Sequence, residues 1–465
     1  MPKEEKLEIV KKGKQFSIGI PKETCLNERR TCITPDAVQV LVANGHQIIV
    51  ESGAGEGSFF TDLHYSESGA KITNDPREAF EQDLVLKINQ PTIEEIDYLK
   101  QNTYLVSALQ INLRDQEYFK RISEKKINAI AFEFIVDEYK QLSLVRLIGE
   151  IAGNISVLYA AELLALSSGL MLGGITGVRP TEVVILGAGI VGEFATKAAL
   201  GLGASVKVFD NSLSKLRRLH MMVDGRVPTS IIDPKELGKS LKRADVVIGA
   251  LSKLSLTPIV TEEMVSKMKK GSVIIDVTID NGKVIETSEL TDMEDPYIIK
   301  HGVIHCGLPN LTSKMPRTTT KAISNFFLSY LLNYDEEGGF ENMLVKKNEM
   351  KQSLYMYKGR HTKKMICERF DLTYHDINLL IFFFLLLKFF LIGLILCFLI
   401  FFFVLYIIGA SCSGYLPNSR VIAETLSKEL HYSESFKTEM TSQKIDEKFL
   451  KDSIMTQGEK KIKKS

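Results

Sequence analysis

Glycines at positions 187, 189 and 192 give the spacing G-x-G-x-x-G, with Ala188, Ile190 and Val191 filling the loop between them. What precedes and follows decides whether such a loop can do chemistry. Residues 183–186 are a short apolar, β-branched run that predicts a buried strand, and the small residues Ala195, Ala198 and Ala199 continue a helix beyond the glycines. At that junction Gly187 makes a tight turn, Gly189 lets backbone approach a pyrophosphate, and Gly192 lets helix and strand pack closely. The helix start then offers free N–H groups and a positive dipole end to phosphate oxygens. Residues 205–209 predict a second strand, closed by Asp210 at 18 residues past the last glycine. A carboxylate there accepts from ribose hydroxyls and repels a 2′-phosphate, which favours NAD(H) over NADP(H). Lys215, Arg217 and Arg218 follow closely, and their positive charge works against that preference.

Strand candidates that must carry the rest of the frame recur at residues 16–20, 47–51, 84–88, 104–108 and 130–135, with helical segments such as 35–44 between them. This βα alternation predicts an α/β chain with parallel sheets and helices on their faces. A long amphipathic stretch at 145–167 crosses into the dinucleotide unit, which continues with strands at 245–248, 273–277 and 303–306. The expected organisation is a first domain over 16–145, completed by about 311–345 through a returning helix near 318–332, and a nucleotide-binding domain over 146–310.

At 465 residues the chain is longer than one hydrophobic core usually spans. Its net charge of +1 leaves no electrostatic footprint for nucleic acid. The six cysteines show neither C-x-x-C nor another ligand spacing, so they read as reduced thiols, and no metal ion is expected. The charged first 15 residues contain no apolar core of a signal peptide.

Composition changes after about residue 342. Residues 346–369 are polar and basic, 379–410 are almost wholly apolar, and 411–465 form a polar, lysine-rich tail. Within the apolar part, residues 389–408 are 20 positions without a charge, long enough to span a bilayer as a helix. Arg360, Lys363, Lys364 and Arg369 precede it closely, and the next basic residue after it is Arg420. That asymmetry predicts cytoplasmic catalytic domains on a single C-terminal membrane anchor.

Several motifs resemble the family of alanine dehydrogenases and the NAD(H)-binding subunit of proton-translocating nicotinamide nucleotide transhydrogenase. They are IGIPKET at 18–24 with NERRTCITPDAV after it, GEIAG at 149–153, VILGAGIVG at 184–192, TEEMVSKMKKGSVIIDVTID at 261–280 and PRTTT at 316–320. The resemblance covers roughly residues 16–335. It implies two Rossmann-like domains with the active site in the cleft between them, NAD(H) as cofactor, a small amino acid or 2-oxo acid as substrate, and an assembly of identical chains.

Carried over by position, the resemblance puts Arg30 where the family holds the substrate carboxylate, a role a planar guanidinium suits. Asp280 and Asn310 fall at positions near the nicotinamide. Two positions depart from alanine dehydrogenase. Asn89, in INQP at 88–91, replaces a substrate-binding lysine, and its run looks like the transhydrogenase pattern. Gln110, in SALQI at 107–111, replaces the acid–base histidine, and a carboxamide cannot shuttle a proton at neutral pH. His305, beside Cys306 on a predicted strand, reads as a core residue. Three functions follow: oxidative deamination of L-alanine or a related small amino acid, hydride exchange in a transhydrogenase, or non-catalytic NAD(H) binding. With Asn89 and Gln110 in place, slow or absent alanine turnover is the expectation.

Overall fold

A computed structural model describes residues 15–414 and 433–449, apart from 138, 140, 252–257, 280, 281, 283, 338, 444, 445 and 447. The described residues up to Leu380 form one compact unit built on two sheets. The first sheet contains β1 (Ser17–Ile20), β2 (Gln47–Glu51), β3 (Lys71–Thr73), β4 (Leu84–Leu86), β5 (Tyr104–Ser107) and β6 (Asn128–Ala131) in the order 3-2-1-4-5-6, all parallel. The second contains β7 (Glu182–Leu186), β8 (Ser205–Phe209), β9 (Thr229–Ser230), β10 (Val246–Gly249), β11 (Val273–Asp276) and β13 (Val303–Cys306), and its order 9-8-7-10-11-13 repeats the same winding. The antiparallel β12 (Ile298–Lys300) closes its edge. The fold is therefore α/β with two doubly wound sheets, as the βα alternation predicts.

The central strands are apolar because helices cover both of their faces. On β7, Val183 and Ile185 join one buried cluster while Val184 and Leu186 join the other, the period-two alternation of a strand between two layers. Strand order reverses between β1 and β4 in the first sheet and between β7 and β10 in the second. In open α/β sheets, ligands bind beyond the carboxyl ends of strands at such points.

The helix Ser143–Ser168 links the two halves and explains the GEIAG motif. A Cβ on Gly153 would lie 2.4 Å from the Val191 carbonyl oxygen, so a glycine is what lets this helix press against the helix Ile190–Gly201. The returning helix runs over Pro316–Glu337 and is tied to the first domain by the Thr31 N–H donating to Thr320 Oγ1 at 3.1 Å and the Thr34 N–H to Ser324 Oγ at 3.0 Å.

Two boundaries differ from expectation. Residues expected as the end of a strand after 131 form instead a short 3-10 turn, Phe132–Phe134. The first sheet also continues past residue 345. β14 (Leu354–Tyr357) pairs antiparallel with β6, and β15 (Arg360–His361) with β14. All four β14 side chains are buried.

The second unit begins at Ile381. The helix Ile377–Gly414 enters it, and none of its most apolar stretch is buried. Ser143–Ser168 is also long and apolar enough to cross a bilayer, but half of its most apolar stretch is buried in the core.

Candidate functional site

The glycine turn has the geometry its spacing requires. Gly187 has φ of +114°, and a Cβ there would meet the Ala250 carbonyl oxygen at 2.4 Å. A Cβ on Gly192 would fall 1.9 Å from the Gly187 carbonyl oxygen, whereas nothing lies within 4 Å of the corresponding point on Gly189. Two glycines are thus filled by protein, and the one facing outward is open. Gly189 also precedes the helix Ile190–Gly201 without a side-chain cap, so the first N–H groups remain available to an anion. Asp210 is buried against this turn. One carboxylate oxygen accepts from the Ala188 N–H at 2.8 Å and the other from the Ser212 N–H at 2.7 Å.

A cavity of about 690 Å³ opens beside the turn. Gly189, Ile190, Val191 and Lys215 line it on the nucleotide side, and Asn310 and Thr312 line it at the end of β13. Its features suit a dinucleotide: an open glycine, uncapped helix N–H groups, and one lysine near the buried carboxylate. Arg218 also lines it and pairs with the wholly buried Glu193. Asn310 adopts a left-handed backbone, φ +51°, at the start of the turn Leu311–Lys314.

The first domain contributes a connected polar network. Arg30 is 5% exposed, and its guanidinium meets the Glu28 carboxylate through Nε at 2.7 Å and through Nη2 at 2.5 Å. Its Nη1 donates to Thr312 Oγ1 at 2.9 Å, which joins Arg30 to the lining of the cavity. Glu28 also accepts from Ser313 Oγ at 2.8 Å and from Asn89 Nδ2 at 3.0 Å. Gln110 Nε2 reaches Asn89 Oδ1 at 3.5 Å, the long edge of a hydrogen bond. The loops after β1, β4 and β5 thus bring Arg30, Asn89 and Gln110 together through Glu28. Burial alone would raise the Glu28 carboxyl, but the charge and hydrogen bonds of Arg30 hold it below the usual range.

Behind the network lie acids that the sequence reading passed over. Glu23 is buried and accepts from the Ile88 N–H at 2.6 Å and the Asn89 N–H at 3.3 Å. Burial pushes its carboxyl up to about 7, with Glu28 adding to the effect and Lys87 opposing it. Lys87, 1% exposed, sits 3.6 Å from Glu23 and 3.1 Å from Glu95. Burial disfavours its charge, and the two carboxylates outweigh that. Glu133 accepts from the Leu109 and Gln110 N–H groups at 2.9 Å each and holds Gln110 in a left-handed conformation, φ +45°. Glu28, two places before Arg30 in NERR, and Glu23, in IGIPKET, were legible as parts of those motifs, whereas Glu95 and Glu133 gave no local signal. His305 is a core residue. It contacts Thr287 Oγ1 at 2.8 Å and the Val303 carbonyl at 3.0 Å, and burial lowers it to about 4. Asp280 lies outside the described residues.

Comparison with known proteins bears on both halves. The family model described as alanine dehydrogenase/PNT, N-terminal domain, matches residues 19–152, and its C-terminal counterpart matches 156–364. The match thus extends past about residue 335, where the resemblance was read to end, and takes in β14 and β15. Alanine dehydrogenase 2 of Staphylococcus aureus (strain USA300) is 36% identical over 369 residues, spanning 78% of this chain and 99% of that protein. A solved structure of L-alanine dehydrogenase superposes with a TM-score of 0.70 at 31% identity, covering 76% of this chain and 98% of that one. The transhydrogenase from Sinorhizobium meliloti gives 0.63 at 21% identity over 75% and 99%, a likeness of fold.

Proposed function

The chain belongs to the alanine dehydrogenase/PNT family and is an NAD-dependent dehydrogenase, and from that premise we propose that it interconverts a small amino acid and its 2-oxo acid in the cleft beside the glycine turn. The observation that carries this reading is the hydrogen bond from Arg30 Nη1 to Thr312 Oγ1, because it joins an acid-binding guanidinium to the wall of the nucleotide cavity. The cofactor would be held by the open face of Gly189, the N–H groups of Ile190 and Val191, Lys215, and Asp210 beside the ribose. When bound, the cofactor would supply a hydride acceptor for the amino acid Cα, the resulting imino acid being hydrolysed by water to the 2-oxo acid and ammonium, and in reverse a hydride donor for the imine formed from 2-oxo acid and ammonia.

The chain's own residues bind and orient. Of the five N–H groups of Arg30, Glu28 engages two and Thr312 one, leaving two for a substrate carboxylate. Glu28 keeps the arginine plane fixed, so the carboxylate meets a preorganised fork. Asn89 and Gln110 supply carboxamides that hydrogen-bond a carbonyl or amino group without exchanging protons at neutral pH. Because carboxamides occupy both positions, a transhydrogenase-type exchange of hydride between nucleotides, which needs no acid–base residue, stands as the second reading.

The helix Ile377–Gly414 anchors the enzyme to a bilayer in this proposal, since a helix apolar all round has no polar face to offer water.

The test is a purified-chain assay of NADH oxidation with ammonium across several 2-oxo acids, in parallel with reduction of an NADP⁺ analogue. Turnover with a 2-oxo acid supports the first reading. Hydride passing to the nucleotide analogue with every 2-oxo acid inert overturns it in favour of the second.

A further inference from the structure

The nucleotide wall of the cavity carries a charged pair to which the binding of the cofactor has so far assigned no role. Glu193 stands in the first turn of the helix Ile190–Gly201, its N–H donating back to the Gly189 carbonyl at 2.8 Å, and its side chain is fully buried. Arg218 reaches it from the helix Leu213–Met222. Arg218 Nε donates to Glu193 Oε1 at 2.5 Å, and Nη2 pairs with the same oxygen. Glu193 Oε2 is buried without a hydrogen-bond partner. This pairing does not withdraw the arginine from solvent. Its side chain is half exposed, its Nη1 meets no acceptor among the described residues, and it lines the cavity together with Gly189, Ile190, Val191 and Lys215. Lys215 lies one turn before it on the same helix face.

The phosphates of a dinucleotide sit at the start of this helix. A buried carboxylate in its first turn repels them, with little screening by water. Arg218 cancels that charge. Because its contacts with Glu193 run through Nε and Nη2, the Nη1 edge of the guanidinium stays free. The buried acid also holds a long side chain that would otherwise lose rotamer freedom on meeting a ligand. An arginine fixed in this way, with unfilled N–H groups on a cavity wall, is a preorganised donor to an anion.

We propose that Arg218 is a ligand of the cofactor's pyrophosphate and that Glu193 is the residue that positions it. The inference rests on the binding of NAD(H) and not on which acid is the substrate. The free N–H groups of Arg218 add a charge-assisted contact to the uncapped N–H groups of the helix start, while Asp210 serves the ribose. The cations that follow β8 in sequence then work with the NAD(H) preference rather than against it, since this one is spent on a phosphate that both nicotinamide cofactors carry.

The experiment measures Kd for NADH and NADPH by fluorescence titration, at low and high salt, with thermal unfolding as the check of folding. It uses the full chain and its Arg218→Ala, Arg218→Lys, Glu193→Gln and combined Glu193→Gln, Arg218→Ala variants. The combined variant leaves no uncompensated buried carboxylate, so it serves where Arg218→Ala alone loses stability. Arg218→Ala and the combined variant are expected to weaken NADH binding roughly ten- to a hundredfold, the loss of one charge-assisted contact, and to flatten the dependence of Kd on salt. NADPH binding should fall by the same factor. Arg218→Lys keeps part of the affinity, and Glu193→Gln stays close to the native chain because glutamine still accepts from Nε. Native NADH affinity in the folded combined variant overturns the contact, since Arg218 then does no more than neutralise Glu193. A loss confined to NADPH places Arg218 at a 2′-phosphate and overturns the pyrophosphate assignment. Neither result touches the 2-oxo acid reading, which the assay of turnover decides separately.

Discussion

Replacing Arg30 by alanine should damage stability and acid binding together, and the structure shows how to separate the two. The pair with Glu28 is buried, with side chains 5% and 1% exposed. Removing one member of a buried ion pair costs about 3–5 kcal/mol, because the other charge is left without compensation. Glu28 would keep three donors, Ser313 Oγ, Asn89 Nδ2 and the Arg30 backbone N–H, so the lower end, about 3 kcal/mol, is expected. The deficit must depend on pH. In the native chain the Glu28 carboxyl is held below its ordinary value, so its contribution is present above the unfolded pKa and lost as pH falls through the folded one. Without Arg30 its burial dominates and the carboxyl rises. The deficit is therefore full at pH 8 and shrinks toward pH 5, as Glu28 takes up a proton. Urea unfolding at both pH values measures this. Glu28→Leu combined with Arg30→Met removes both charges and should recover much of the stability, since apolar replacements of a buried pair are often neutral. That folded double variant should still show KM for the 2-oxo acid raised roughly 10- to 150-fold, the worth of about 1.5–3 kcal/mol for a charge-assisted carboxylate contact. Native stability in Arg30→Ala at pH 8 would refute the electrostatic reasoning. A native KM in the double variant would refute the assignment of Arg30 to the substrate.

L-Alanine deamination by the native chain should be slow, and Asn89→Lys with Gln110→His should raise it by about 10²–10⁴-fold, the usual worth of a placed acid–base group; unchanged turnover in a variant that binds NADH would count against the departure at these positions. Titration should give tighter binding of NADH than of NADPH, and Asp210→Ala should weaken NADH binding by releasing the Ala188 N–H as well as the ribose contact; equal affinities for the two cofactors would contradict the role of Asp210. Glu23 is an acid raised to about 7, so the stability it contributes is fully present below its unfolded value near 4.5 and is lost as pH rises through 7. Glu23→Gln should accordingly stabilise the chain at pH 8 relative to native and do little at pH 4, and a pH-independent difference would sink that account. Cells expressing the full chain should retain it in carbonate-washed membranes, whereas a chain ending at residue 376 should be released; recovery of the full chain in the soluble fraction would exclude the anchor.

What was legible in the sequence is what local geometry enforces. At Gly187 and Gly192 a Cβ would strike backbone within 2.4 Å and 1.9 Å, so the turn cannot be built from other residues and the spacing announces it. Strands between two helical layers must be continuously apolar, which made β7, β10 and β11 readable. β14 and β15 escaped for the opposite reason. They lie in a basic, polar stretch that looks like a linker; β6 and β15 pair with the β14 backbone, and its Tyr355 and Met356 side chains are buried in a cluster with Tyr118, Phe119 and Ile366. The candidate site was half legible in the same sense. Arg30, Asn89 and Gln110 stood out by position in motifs, but their chemistry is set by contacts that no spacing predicts: Thr312, 282 residues from Arg30, and Glu133, which bends the Gln110 turn from the end of β6. The identity of a charged residue shows what it can bind, and burial decides whether it is already bound.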